Sequence, residues 1–211
     1  MPTPKKSPLA ALSNRYLRSI SSLEELHLAL QSHGISFLGF LETKSREQFG
    51  CQRVVRLEDR FLLEMTDLKK FFEFDLSGKL IREVPSWETI PPNFLNMAIK
   101  SGKSLAPGNL SIPRGVRYVG SFAFCKCIDL VRVDIPDSVK VIFPMAFCFS
   151  GLEDLVIPGS VIHIGWGAFD GCVNCRSVTC PSRFRNVNRR KWNIFTPMRF
   201  RKFKKNVFHW T

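Results

Sequence analysis

The chain repeats itself between Leu110 and about Phe195, and this repetition constrains the fold more than any other feature of the sequence. Four proline pairs follow one another at steps of 23, 22 and 23 residues: Ile112-Pro113, Ile135-Pro136, Ile157-Pro158 and Cys180-Pro181. Ten residues after each of the first three prolines an Ala-Phe pair begins, at Ala123-Phe124, Ala146-Phe147 and Ala168-Phe169. A fixed period of roughly 20 to 50 residues is the signature of a solenoid, whose units bury their apolar faces against their neighbours.

Each unit has the pattern of a strand, a proline corner, a second short strand and a helical turn. Apolar residues six, three and one positions before the prolines are predicted to point inward: Leu130, Val133, Ile135, Leu152, Leu155, Ile157, Cys175, Val178 and Cys180. The residues between them are predicted to face water: Arg132, Asp134, Glu153, Asp154, Arg176 and Thr179. Stacked units place equivalent strands about 4.7–4.9 Å apart, so each phenylalanine of an Ala-Phe pair is expected to fill the space between layers.

With these residues the chain resembles the BspA-type leucine-rich repeats, whose unit runs approximately Leu-x-x-Val-x-Ile-Pro-x-Ser-Val-x-x-Ile-Gly-x-x-Ala-Phe-x-x-Cys. The second unit matches from Leu130 through Ile135-Pro136 to Phe147, and the third matches from Leu152 through Gly171-Cys172. The resemblance covers roughly residues 108–195, and Phe143, Ser150 and Cys175 depart from it. It implies an α/β leucine-rich-repeat solenoid of short parallel strands and helical turns, and a non-enzymatic binding scaffold.

The domain organisation follows from the repeat boundaries. We predict a basic flexible N-terminus over 1–20, an α+β module or N-terminal cap over 21–88, and a linker or degenerate repeat over 89–108. Repeats over 109–195 and a basic aromatic tail over 196–211 complete the chain. The degenerate-repeat interpretation places Ile90-Pro91 in the phase of the later Ile-Pro pairs, and a fourth unit would end through Trp192 and Phe195.

The segment 21–88 has local signals for one helix and several strands. Ser22 and Glu25 have the spacing of a capping box, which predicts a helix over about 23–33 that ends at Gly34. Short apolar runs at 36–41, 53–57, 61–65, 71–76 and 79–84 are strand-like, and Ser77-Gly78 is a plausible hairpin turn.

The net charge of +13 is concentrated at the ends of the chain. No acidic residue follows Asp170, whereas eleven Lys and Arg lie between Arg176 and Lys205. Eight of them are candidates for binding a polyanion: Arg189, Arg190, Lys191, Arg199, Arg201, Lys202, Lys204 and Lys205. A nucleic acid or an anionic membrane surface is therefore an alternative partner, beside a solvated tail or an aromatic anchor packed on the end of the solenoid.

The seven cysteines and the absence of a secretory signal predict an intracellular protein with free thiols, cytoplasmic or nuclear. The basic, serine-rich residues 1–22 also leave an organelle transit peptide open. Cys125, Cys127, Cys172, Cys175 and Cys180 raise the possibility of zinc, but most of them fall at repeat positions where a buried thiol serves as a small apolar group. We predict no metal and no cofactor.

No glycine-rich phosphate loop, paired-histidine metal motif or nucleophile elbow is present, so an enzyme and a small-molecule substrate are not expected. His163, between two inward positions, is expected to be solvated. The favoured hypothesis is a protein–protein interaction module that contacts an unidentified protein partner through the outward residues of the repeat strands.

Overall fold

The computed structural model describes residues 17, 19–46, 52–94, 108–184 and 208–211. The chain divides into two compact units, Met1–Val84 and Pro85–Thr211. Across the described residues, every helix is too short or too polar to cross a membrane.

The first helix of the N-terminal unit forms where the capping signals predict it. Helix α1 spans Leu23–Ser32, and the Ser22 hydroxyl accepts a hydrogen bond from the backbone N–H of Glu25. The Glu25 carboxylate reaches one residue further back than a capping box requires and accepts hydrogen bonds from the N–H and the hydroxyl of Ser21, both at 2.7 Å. Gly34, with φ of +67°, then ends the helix in a left-handed conformation.

The prediction of a strand at 36–41 is wrong, because these residues begin helix α2, Phe37–Lys44. The Ser36 hydroxyl accepts a hydrogen bond from the N–H of Gly39 at 3.1 Å and so starts the helix. Phe37, Phe40 and Leu41 have helical i, i+3, i+4 spacing, and the last two are fully buried. So short an apolar run fits both periods, and the packing decides between them.

Four antiparallel strands complete this unit: β1 (Gln52–Arg56), β2 (Arg60–Met65), β3 (Lys70–Asp75) and β4 (Leu80–Glu83). They pair in chain order, and Phe61 of β2 lies opposite Phe74 of β3. The predicted turn at Ser77-Gly78 joins β3 to β4. The Asp75 carboxylate accepts hydrogen bonds from the backbone N–H groups of Ser77 and Lys79, which hold the turn.

The helices and one face of the sheet enclose a hydrophobic core that begins earlier than predicted. Leu17 and Ile20 are buried in it, and the side-chain amide of Gln52 donates a hydrogen bond to the Leu17 carbonyl at 2.7 Å. The prediction of a flexible N-terminus up to residue 20 is therefore wrong at these two positions. The core also contains residues from α1, α2 and the strands: Leu26, Leu30, Phe40, Leu41, Val54, Leu63, Phe72 and Phe74.

The C-terminal unit is the solenoid of stacked coils that the repeat predicts, with two parallel sheets. The first sheet has the order β13-β12-β10-β8-β6 and contains β6 (Gly108–Ser111), β8 (Leu130–Asp134), β10 (Asp154–Val156), β12 (Ser177–Cys180) and β13 (Phe208–Trp210). The second has the order β11-β9-β7-β5 and contains β5 (Thr89–Ile90), β7 (Tyr118–Val119), β9 (Val141–Ile142) and β11 (His163–Ile164). Single turns of 3₁₀ helix span Ser86–Glu88 and Ser182–Phe184.

All nine predicted inward residues are buried in one cluster between the two sheets. The Ala-Phe pairs form its centre. The Phe124 and Phe147 rings are stacked with centroids 5.0 Å apart, and the Phe147 and Phe169 rings continue the stack at 5.3 Å. Ala123, Ala146 and Ala168 are fully buried beside them, where the small side chain lets successive corners approach closely.

Two features differ from the predicted phase of the repeats. Ile90 pairs in register with Val119 of the second sheet, so Ile90-Pro91 is not equivalent to Ile112-Pro113. Phe94 still packs against Phe124, with ring centroids 5.8 Å apart. At the other end, Phe208–Trp210 forms β13 and pairs with β12, so the last residues extend the first sheet instead of belonging to a tail. The predicted fourth unit, through Trp192 and Phe195, lies outside the described residues.

Candidate binding surface

The outward residues of the first sheet form two rows that run across the strands, and we call this surface the strand face. One row lies four residues before each proline and contains Asn109, Arg132, Asp154 and Ser177. The second row lies two residues before each proline and contains Ser111, Asp134, Val156, Thr179 and, from β13, His209. Parallel pairing in register brings these residues together from sequence positions up to a hundred residues apart.

The six residues predicted for partner contact lie on or beside this sheet, and four of them pair with one another. A guanidinium nitrogen of Arg132 lies 3.1 Å from the Asp154 carboxylate on the next strand. A guanidinium nitrogen of Arg176 lies 3.6 Å from the Glu153 carboxylate just before that strand. Such exposed pairs contribute little to stability, about 0–1 kcal/mol, but they neutralise much of the charge of the surface.

Val156 is the feature that sequence reasoning missed. Its side chain is 58% exposed in the second row, between Asp134 and Thr179 on the neighbouring strands. The spacing of the repeat holds the signal, because Val156 stands two residues before Pro158 as Asp134 and Thr179 stand before their prolines. A search for charged residues passes over it, since an apolar residue in a repeat is first assigned to the core.

The predicted polyanion-binding residues cannot be placed on this surface. Arg189, Arg190, Lys191, Arg199, Arg201, Lys202, Lys204 and Lys205 all lie outside the described residues. The role assigned to them stays a prediction from the charge pattern.

The cysteines of the solenoid occupy two ladders between coils and two core positions. Cys125 and Cys148 stand one residue after the Ala-Phe pairs, with their sulfur atoms 2.7 Å apart. Cys127, Ser150 and Cys172 stand three residues after these pairs, and the Cys172 sulfur lies 3.2 Å from the Ser150 hydroxyl. Burial raises the pKa of Cys175 to about 11 and that of Cys180 to about 12. In the described part of the chain, no three His, Cys, Asp or Glu side chains are grouped closely enough to hold a metal ion.

His163 differs from the solvated side chain that the sequence suggests. It lies in β11 beside Val141, and it is only partly exposed. Burial lowers the pKa of His163 to about 4, so the imidazole is neutral near pH 7.

Comparison with known proteins agrees with this architecture. The model of a family described as "BspA type Leucine rich repeat region (6 copies)" matches residues 103–209, about half of the chain. The chain belongs to the BspA-type leucine-rich-repeat family. The same kind of comparison with curated proteins finds no match.

Several solved structures are similar to part of this BspA-type protein. A leucine rich cell surface protein from Faecalibacterium prausnitzii is 35% identical, with 34% of this chain and 19% of that chain covered and a TM-score of 0.33. The pneumococcal vaccine antigen PcpA is 29% identical, with 34% and 18% covered and a TM-score of 0.32. A leucine-rich-repeat protein from T. pallidum is 31% identical, with 34% and 45% covered and a TM-score of 0.28. The chain thus spans less than half the length of each of these structures.

The predicted intracellular location is contradicted by these comparisons, because the homologues of this repeat type are cell-surface or secreted bacterial proteins. The intracellular prediction relied on the number of free cysteines. Cys172, Cys175 and Cys180 are buried at repeat positions, where they pack as small apolar groups, so their number does not report a reducing compartment. Proteins with this repeat are generally non-enzymatic scaffolds that bind protein partners.

Proposed function

We propose that this BspA-type protein is a non-enzymatic scaffold that binds a protein partner through the strand face. Val156 carries the proposal, because it is a largely exposed apolar side chain at the centre of a regular polar surface. Burying the exposed part of this side chain in an interface stabilises a complex by about 1–2 kcal/mol.

The surroundings of Val156 favour contact with a polypeptide. Asp134 and the Thr179 hydroxyl flank it in the same row, and Ser111 and His209 continue the row at either end. Apolar contact surrounded by hydrogen-bonding groups is the usual composition of an interface between proteins. The strands that hold these residues are paired in register, so little conformational entropy is lost when a partner binds.

The charges of the strand face support the same partner class. Arg132 is paired with Asp154 and Arg176 with Glu153, so the positive side chains here already have carboxylate partners. A polyanion would have to compete with these carboxylates, whereas a protein surface of mixed charge would not. The same pairing leaves the carboxylates of Asp154 and Glu153 in salt bridges, which favours a binding role over acid–base catalysis.

The experiment compares proteins retained by the immobilised chain with those retained by two variants. Val156→Asp places a charge at the centre of the strand face, and Ile162→Asp places one at another exposed apolar position of the solenoid, 48% exposed. We expect a specific partner to be lost with Val156→Asp and kept with Ile162→Asp. Equal retention by both variants contradicts the proposal.

The alternative partner, a nucleic acid or an anionic membrane surface, gives a different result in the same assay. Binding by the basic residues beyond the described part of the solenoid would be insensitive to Val156→Asp. It would also weaken steeply with added salt, because phosphate contacts release counterions. If both variants lose their bound partner to the same extent when the salt is raised from about 50 to 200 mM, the result favours the polyanion alternative.

A further inference from the structure

Two cysteines at equivalent positions of successive coils lie next to each other in the solenoid. The Cys148 thiol donates a hydrogen bond to the Cys125 sulfur, and the two sulfur atoms are 2.7 Å apart. A disulfide requires a separation of about 2.03–2.05 Å, so a shift of well under 1 Å would join them. We propose that Cys125 and Cys148 are a site of oxidative modification, at which a low-molecular-weight disulfide converts the two thiols into a disulfide between coils.

The backbone already holds the two residues in a suitable position. Both cysteines stand one residue after an Ala-Phe pair, so they are equivalent in successive coils. On one side of Cys125 the Phe124 N–H donates to the Ala146 carbonyl at 2.7 Å, and on the other the Lys126 N–H donates to the Cys148 carbonyl at 2.8 Å. Chains paired in this way lie about 4.7–4.9 Å apart, within the Cα separation of about 4.4–6.8 Å found in disulfides.

The neighbouring thiols of the solenoid do not share this arrangement. Cys127 and Cys172 belong to one ladder, but Ser150 stands between them in the intervening coil. Cys172 also donates a hydrogen bond to the Phe147 carbonyl at 3.3 Å. In the next coil the position equivalent to Cys125 and Cys148 is Asp170, so the ladder of facing thiols ends after one pair.

The two cysteines differ in a way that sets the order of the reaction. Cys125 is half-buried and accessible to a small reagent, whereas Cys148 is fully buried. The hydrogen bond from Cys148 lowers the pKa of Cys125, and the same bond together with burial raises the pKa of Cys148. Cys125 is therefore the thiol that reacts first, and Cys148 is the one that resolves the product.

The reaction proceeds as two thiol–disulfide exchanges. The Cys125 thiolate attacks one sulfur of the small disulfide, a mixed disulfide forms, and the leaving thiolate takes up the proton that Cys125 has lost. Cys148 then loses its proton and attacks the Cys125 sulfur, and the second small thiolate leaves and is protonated. Two S–H bonds and one small disulfide are consumed, and one protein disulfide and two small thiols are formed.

To test the proposal, the whole folded chain is incubated with oxidised glutathione, and the thiols that remain free are then blocked by alkylation. The position of any disulfide is mapped by protease digestion and mass spectrometry. Trypsin cleaves after Arg117, Lys126 and Lys140 and so separates Cys125 from Cys127. A second digestion with a glutamate-specific protease cleaves after Glu153 and separates Cys148 from Cys172 and Cys175. We expect one cross-linked product, in which peptide 118–126 is joined to peptide 141–153. The oxidised chain loses two hydrogens, and two of its seven thiols escape alkylation.

Two matched variants control for chance oxidation. Cys125→Ser is expected to abolish the cross-link, whereas Cys127→Ser, two residues away and also half-buried, is expected to keep it. The oxidised wild type should also melt about 5 °C or more above the reduced form, because the cross-link restricts the unfolded chain. The proposal is overturned by a stable glutathione adduct on Cys125, by a cross-link that survives Cys125→Ser, or by seven thiols that remain free.

Discussion

The rings of Phe147 and Phe169 lie 5.3 Å apart and within 6° of parallel, and Phe147 makes an equivalent contact with Phe124 on its other side. Phe147 is therefore the middle ring of a stack that runs through three coils. Its side chain is fully buried, so no water compensates for contacts that are lost when it is removed.

Phe147→Ala is expected to destabilise the solenoid by about 3–5 kcal/mol, from lost apolar transfer and from the cavity that remains. Thermal or urea unfolding followed by circular dichroism measures this effect. Phe149→Ala is the matched control two residues away, because that ring is 50% exposed, and its cost should stay below about 1 kcal/mol. Equal destabilisation by the two substitutions would contradict the role of the stack.

Gly165 is required by close packing between coils. A Cβ atom at this position would lie 2.7 Å from the carbonyl carbon of Phe143 and closer still to the backbone nitrogen of Pro144. Gly165→Ala is therefore expected to cost about 1–3 kcal/mol, because backbone atoms of the neighbouring coil must move. Gly159→Ala, in the same coil, meets no atom within 4 Å and should leave the free energy of unfolding nearly unchanged. Similar midpoints for the two variants in urea would show that this corner is not tightly packed.

Glu73 fixes the sheet of the N-terminal unit through two arginines. Its carboxylate is buried, 2.6 Å from a guanidinium nitrogen of Arg60 on β2 and 2.9 Å from one of Arg82 on β4. Glu73→Gln removes the charge that both cations share, so we expect a loss of about 2–4 kcal/mol of stability. Glu83→Gln breaks an exposed pair with Lys70 and should cost less than about 1 kcal/mol. The difference between the two midpoints of denaturation is the measurement, and a difference near zero would refute the assigned role.

The repeats were predictable because each of their signals recurs. Ile135 and Ile157 precede prolines at a constant step, and the same step predicts which neighbours point inward. Where the inward or outward orientation of one residue is ambiguous, the equivalent residues in the other coils decide it. The outward position of Asp134 follows from the same spacing. The spacing also predicts an outward position for Val156, which was missed because the candidate contact residues were chosen among charged and polar side chains.

The N-terminal unit was less predictable because its segments occur once. Residues 36–41 suit a strand and a helix equally, and the hydrogen bond from Gly39 to Ser36 selects the helix. Ile90 was placed in the wrong phase because its Ile-Pro pair fits the period, although Ser101-Gly102 stands where the other units have Ala-Phe. The contact between the Cys125 and Cys148 sulfurs required the three-dimensional stacking, although their equivalent positions can be read from the sequence.

His163 makes the stability of the solenoid dependent on pH. Burial lowers the pKa of His163 to about 4, whereas an unfolded chain has an ordinary histidine pKa of about 6.5. Between these values the unfolded chain binds a proton that the folded chain does not bind. The free energy of unfolding is therefore expected to fall as the pH decreases from about 6.5, with the loss complete below about 4 and amounting to about 3 kcal/mol.

Urea denaturation of the wild type and of His163→Gln at several pH values between 4 and 7 isolates this contribution. The variant lacks the titrating group, so the difference in stability between the two proteins should shift in favour of the variant as the pH falls. His27→Gln is the matched control, because His27 is exposed on α1 of the other unit and should leave the pH dependence of the solenoid unchanged. A constant difference between wild type and His163→Gln across this range would mean that His163 takes up its proton as readily in the folded protein as in the unfolded chain.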